Sequence, residues 1–163
     1  MAQTSPTFGT ADFTAASRPR AIAHADFDRD GWLDVATAGH DGLVVLLNNE
    51  GQGFGSRYRS ASPGAGAFDL AAGDLNRDDI ADLVVAQADG HTVDVHIGNG
   101  DGTFAAPLRL PIAGGSPRGV TLVEHDGDGK LDIIATEYAT NAWRILYGDG
   151  EGAFNRQARF GAI

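Results

Sequence analysis

Three short stretches concentrate carboxylates at a spacing that suits a hard divalent cation. The first places Asp26, Asp28, Asp30 and Asp34 within nine residues. Left bare, four such charges repel one another. Ca²⁺ resolves the conflict, because it takes 6–8 oxygen ligands in a flexible shell. Alternate residues of a tightly turning loop can aim oxygens at one centre, and Gly31 supplies the sharp turn. Asp26, Asp28, Asp30 and Asp34 are therefore expected to ligate through side chains, and Trp32 through its backbone carbonyl. The second stretch offers Asp74, Asn76, Asp78 and Asp82, with the carbonyl of Ile80, and Asp79 stands where the glycine should be. It is expected to be the weakest site, since Asn76 lowers the charge and Asp79 must accept a left-handed turn. The third offers Glu124, Asp126, Asp128 and Asp132, with the carbonyl of Lys130. Up to three Ca²⁺ per chain follow.

An EF-hand is excluded. That loop needs a bidentate Glu at its twelfth position and flanking helices. Here the twelfth positions are Thr37, Val85 and Ala135, and an Asp closes each loop at position nine. Asp-rich turns without a metal are the plainer alternative, since Asp and Asn favour turns. Three loops in register, holding 12 of the 22 acidic residues, speak against it.

The elements that position these loops are written three times. The loops recur at offsets of 48 and 50 residues (26 to 74 to 124), and each is followed by a Gly-rich turn ending at Phe54, Phe104 or Phe154. Pro19-Arg20 and Pro117-Arg118 precede two of them, with Ala67-Phe68 at the middle place. Between the markers, apolar residues alternate with a period of two, as in half-buried strands. Ile22, Leu70 and Val120 share one position; Leu43, Val93 and Trp143 share an inward one, which assigns Trp143 to the core. Trp32, whose counterparts are Ile80 and Lys130, is expected to stay partly exposed and is the one aromatic that could stack on a ligand. Four short antiparallel strands per repeat and almost no helix are expected. A unit of this size is a propeller blade.

The D-x-D-x-D-G-x-x-D loop followed by G-x-G-x-x-F, repeated over roughly residues 8–160, resembles the FG-GAP/VCBS repeat family. Its members include the integrin α-subunit propeller and certain propeller lectins. The resemblance implies an all-β propeller, calcium in the loops with the ligand set given above, and a carbohydrate or protein as ligand. The chain is expected to form one unit over residues 1–163. Its repeats fall near 16–62, 63–112 and 113–163, with an extra outer strand near 8–15. Three blades cannot close a ring, since propellers have about 4–8. A homo-oligomer is expected, a dimer making six blades. The competing expectation is a structural fragment of a larger propeller with calcium as its only ligand.

Other function classes find little support. A formal charge of −10 opposes nucleic acid and anionic membrane surfaces. There is no cysteine for disulfides or thiolate metal sites, and no apolar run long enough to span a membrane. A secreted or extracellular protein is expected, although Met1–Thr10 lacks the apolar core of a signal peptide. Gly98–Gly102 resembles a nucleotide loop only superficially, lacking the Gly-Lys-Ser/Thr and the helix. The five histidines have no metal-ligand spacing, no nucleophile or metalloprotease motif occurs, and no enzyme is expected.

Overall fold

The computed structural model describes residue 16 and residues 18–60 and 66–161. The outer strand expected near 8–15 lies outside these. Twelve strands form three four-stranded antiparallel sheets, each in simple sequence order. The first sheet contains β1 (Ala21–Ala25), β2 (Asp34–Gly39), β3 (Gly42–Asn48) and β4 (Phe54–Ser60). The second contains β5 (Ala67–Gly73), β6 (Asp82–Gln87), β7 (Thr92–His96) and β8 (Leu108–Pro111). The third contains β9 (Pro117–Val123), β10 (Asp132–Glu137), β11 (Ala142–Tyr147) and β12 (Arg156–Gly161). One 3-10 turn, Tyr138–Thr140, is the only helical element among the described residues.

Register repeats with the sequence. Val35 pairs with Leu46, Leu83 with His96 and Ile133 with Leu146. Each acidic loop joins the first strand of its sheet to the second, and each Gly-rich turn joins the third to the fourth. Loops and turns thus meet at one end of every sheet.

Packing follows from the two apolar faces each strand pattern creates. Ala36, Ala38, Leu43 and Val45 of the first sheet meet Leu70, Leu83, Val85 and Phe104 of the second. Val84, Ala86, Val93 and Val95, on the other face of the second sheet, meet Val120, Ile133, Ala135, Leu146 and Phe154 of the third. The innermost strands β1, β5 and β9 stand beside one another in that order. Fully burying one such aliphatic side chain contributes about 1.5–3 kcal/mol, so these two junctions dominate stability. Polar contacts add direction. Asp69 accepts the Val120 N–H at 3.0 Å, and Phe27 O accepts the Gly102 N–H at 3.0 Å, one across each junction. Sheets stacked face to face with their first strands innermost are propeller blades.

The end sheets show where the sequence reading fails. Trp143 is 39% exposed rather than in the core, whereas Leu43 and Val93 are buried. Its side chain stands on the outer face of the third sheet, where no further sheet follows among the described residues. Ile22, counterpart of the buried Leu70 and Val120, is likewise 70% exposed on the outer face of the first sheet. Ala16 covers Val44 and Leu46 on the outer part of that same face.

The third sheet is also fastened by a buried charge. Glu137 accepts Arg144 Nε at 2.8 Å, Arg159 Nε at 2.9 Å and Thr140 Oγ1 at 2.8 Å. Burial pushes its pKa up, but these three donors outweigh burial and hold it below the usual carboxylate range.

His96 breaks the repeat in the opposite sense. It is fully buried where the other sheets carry Leu46 and Leu146, and neither ring nitrogen has a hydrogen-bond partner among the described residues. Burial lowers its pKa, so the neutral ring is the folded form. His96→Leu is expected to stabilise the protein by about 1–3 kcal/mol, the cost of an unsatisfied buried polar group. The gain should grow as pH falls below about 6.5, where the unfolded wild-type histidine takes up a proton that the folded one resists. Thermal unfolding across pH checks this; an unchanged or lower midpoint would mean that His96 is satisfied in solution.

Candidate metal centres

In the first loop, one oxygen each of Asp26, Asp28 and Asp34 lies within 4.8 Å of the others. The loop wraps because Gly31 adopts φ +90°, with open space around it. Backbone N–H groups fix the carboxylates. Asp26 Oδ2 accepts Gly31 N at 2.9 Å, and Asp30 Oδ1 accepts Trp32 N at 2.8 Å. Asp30 is exposed and is not part of the convergent trio.

The second loop copies the backbone path but not the convergence. Asp79 takes φ +63°, close to the +77° of Gly129, so the left-handed turn survives without glycine. Asp74 accepts the N–H groups of Arg77 at 2.7 Å and Asp79 at 2.9 Å, and Ile80 N–H bonds to Asp78 at 2.8 Å. The Asn76 amide donates to Asp78 at 2.8 Å. Asp74, Asp78 and Asp82 are not among the described groups whose oxygens converge.

The third loop gathers Glu124, Asp126 and Asp128 within 4.8 Å. Glu124 Oε1 accepts Gly127 N at 2.6 Å, so its extra methylene still folds back onto the loop. Two cations already sit here. Lys130 Nζ is 3.1 Å from Asp128, and Arg156 pairs with Asp126 while stacking 3.8 Å over Tyr147. A cleft of about 420 Å³ beside the loop is lined by Asp126, Asp128, Lys130, Tyr147, Asp149 and Arg156, among others. Sequence reasoning gave Lys130 only its carbonyl and missed Arg156, whose sole signal is a basic residue just after the Phe154 marker.

The position-nine aspartates have a second task. Asp34 is buried and accepts Phe27 N at 2.8 Å and Asn48 N at 2.7 Å. Asp82 accepts Leu75 N and Gly98 N, both at 2.8 Å, and Asp132 accepts His125 N at 3.2 Å and Gly148 N at 3.0 Å. Each clamps the start of its loop to the end of the third strand. Asp132 therefore lies at its loop without joining the convergent trio.

Electrostatics rank the loops. Burial, then the charge of Asp34, pushes the Asp28 pKa up. Burial also raises Asp34, against its two N–H donors. Asp82 is pushed by burial up to about 6. In the third loop the Lys130 ammonium holds Asp128 low instead. The first loop thus combines convergence with unrelieved negative charge, the condition a divalent cation relieves.

Trp32 is 45% exposed, and its ring edge lies close over Gly51 of the Gly-rich turn. Leu33 beside it is 58% exposed. Gly98–Phe104 is a turn, closed by a bridge between those residues and by Thr103 N donating to Asp101 at 2.9 Å.

A family model described as FG-GAP-like repeat matches the chain twice, over residues 26–85 and 74–135. No curated protein matches. Among solved structures, the chain is similar to a lectin of Agrocybe aegerita described as specifically recognising non-reducing terminal N-acetylglucosamine. The similarity has 27% identity and a TM-score of 0.58 and covers 85% of this chain. The chain spans 37% of the lectin's length.

Proposed function

The chain belongs to the FG-GAP-like repeat family, and from that premise we propose that it is a calcium-stapled set of propeller blades acting as a secreted binding module. Convergence of Asp26, Asp28 and Asp34, with Asp28 and Asp34 pushed up in pKa, is the observation that supports calcium most directly. Asp30 and the Trp32 carbonyl complete that shell. Glu124, Asp126, Asp128, Asp132 and the Lys130 carbonyl form the second-ranked site, in which Ca²⁺ competes with Lys130 and Arg156. Asp74, Asn76, Asp78, Asp82 and the Ile80 carbonyl form the weakest. Each ion would tie the first strand of a blade to the second, at the end where the Gly-rich turns gather.

The ligand proposed is a carbohydrate, by likeness to the lectin, with Trp32 offering an exposed ring for sugar stacking. A protein ligand is the other member of this class. The FG-GAP-like repeats and the likeness to a lectin support a binder over an enzyme. A glycan array that includes terminal N-acetylglucosamine tests it. Binding is expected in calcium, lost on chelation, and weakened about tenfold by Trp32→Ala, equivalent to about 1.4 kcal/mol. Silence from calcium-loaded protein would favour the second reading, a purely structural part of a propeller. The exposed Trp143 on the outer face of the third sheet favours that reading too.

A further inference from the structure

The Pro-Arg pairs ahead of the first and third acidic loops take no part in the metal centres. Arg20, Phe68 and Arg118 each stand six residues before the first acidic residue of their loop, Asp26, Asp74 or Glu124. The strands between carry them to the end of the sheets opposite the loops. At a rise of about 3.3 Å per residue, that separation is about 20 Å. The innermost strands β1, β5 and β9 stand side by side, so the three residues form one row across the blades.

The row alternates charge and ring. The Arg20 guanidinium lies 3.9 Å from the centre of the Phe68 ring. The Arg118 guanidinium lies 4.8 Å from the same centre and 3.7 Å from that of Tyr138. Backbone bonds fix the frame. Arg20 N donates to Ala38 O at 2.8 Å, and Tyr138 N donates to Ser116 O at 3.1 Å, beside the second Pro-Arg pair. Phe68 breaks the Pro-Arg pattern in the middle repeat, and Tyr138 stands where the other repeats have His40 and Ala88. The two departures supply the rings that hold the two arginines.

Two guanidinium groups over one ring are no further apart than the sum of their distances to it, and they repel each other. Nothing of opposite sign relieves them. Among the described residues, neither Arg20 nor Arg118 pairs with a carboxylate. The acidic residues next to the two rings are engaged elsewhere. Asp69 accepts the Leu70 and Val120 N–H groups, both at 3.0 Å, and Glu137 is held by Arg144, Arg159 and Thr140. Arg20, Arg118 and Tyr138 are all exposed, so solvent reaches the ladder. In a chain with 22 acidic and 12 basic residues, this is a local reversal of sign.

We propose that Arg20, Arg118 and the Tyr138 hydroxyl bind an oxyanion, a carboxylate or sulfate group carried by a small acidic sugar. This is a second site, at the other end of the blades from the acidic loops and Trp32, and it rests on neither the calcium reading nor the Trp32 reading. A guanidinium stacked on a ring keeps its N–H edge for a ligand, and that planar fork matches two oxygens of a carboxylate or sulfate. Binding also relieves the repulsion between the two arginines. Two cations read one anionic group rather than a polymer, since the surrounding charge of −10 repels a long polyanion.

Isothermal titration calorimetry in chelator, at constant ionic strength, tests the site with glucuronate, glucose 6-sulfate and glucose. Wild type is expected to bind one or both acidic sugars at one per chain, and not glucose. The acidic sugar that binds identifies carboxylate or sulfate as the group recognised. Arg20→Gln and Arg118→Gln should each weaken binding about tenfold. Trp32→Ala should bind as wild type does. Arg118 packs on two rings and its loss can disturb the fold, so Arg20→Gln, with one ring contact and an unchanged circular dichroism spectrum, decides the matter alone if needed. Failure of wild type to bind either acidic sugar overturns the proposal, as does equal binding of glucose. Undiminished affinity in Arg20→Gln, or a loss in Trp32→Ala, overturns it as well. Because chelator is present throughout, none of these results depends on calcium in the loops.

Discussion

Asp82→Ala is expected to lower the unfolding free energy of the calcium-free protein by about 2–5 kcal/mol. The midpoint should fall by roughly 2–4 °C for each kcal/mol in a chain of this size. The carboxylate is fully buried and accepts two backbone N–H groups at 2.8 Å, Leu75 N at the start of the loop and Gly98 N at the end of β7. Alanine leaves both donors without an acceptor, each at a cost of about 1–3 kcal/mol. One term opposes the loss. Burial lifts the Asp82 pKa to about 6, so carrying the charge at neutral pH is itself unfavourable, and alanine removes that cost. The net stays destabilising because two donors are orphaned for one charge removed. Asp82→Asn should fall nearly as far, since its amide nitrogen faces an N–H it cannot accept. Urea unfolding in chelator measures the difference. A variant as stable as wild type would mean that the clamp holds nothing.

Calcium removal carries the other large effect. A ligand that binds only the folded state at about 100 times its Kd adds about 2.7 kcal/mol per site. Occupancy of the first and third loops would then add about 5 kcal/mol over the chelated protein. The first loop should respond most, because burial and the charges of neighbouring loop aspartates raise Asp28 and Asp34, with no cation paired to them among the described residues. In the third loop the ion must displace Lys130 and Arg156 from Asp128 and Asp126. Asp28→Ala should remove the first loop's share and leave the third's. Melting curves in millimolar calcium and in chelator check this, and coincident curves would contradict it.

The repeat, the four-strand blade and the loop positions were legible because each rests on local pattern. Alternating apolar residues set the strands, Gly31 and Gly129 mark left-handed turns, and the 50-residue spacing of Phe54, Phe104 and Phe154 sets the period. The exposure of Trp143, expected in the core, and of Ile22 in the first sheet has a reason the pattern cannot carry. Their side chains point as the repeat dictates, but burial depends on whether a neighbouring sheet is there. The clamp role of Asp34, Asp82 and Asp132 was hidden behind their apparent role as ligands, since an Asp can serve either task and only the fold brings Asn48 N or Gly98 N to it. Arg156 escaped notice because it lies 30 residues from Asp126 in sequence. His96 could have been questioned from the alignment alone, as the one polar residue at a position otherwise held by Leu46 and Leu146.

Calcium in the loops is the claim on which the rest of the function depends, and counting the ions on the intact protein tests it most directly. A native mass spectrum in millimolar calcium should show one to three ions per chain, all removed by chelation. Asp28→Ala should carry one ion fewer than wild type. A spectrum without calcium on correctly folded wild type, or an unchanged count in Asp28→Ala, would contradict the account and leave the acidic loops as turns alone.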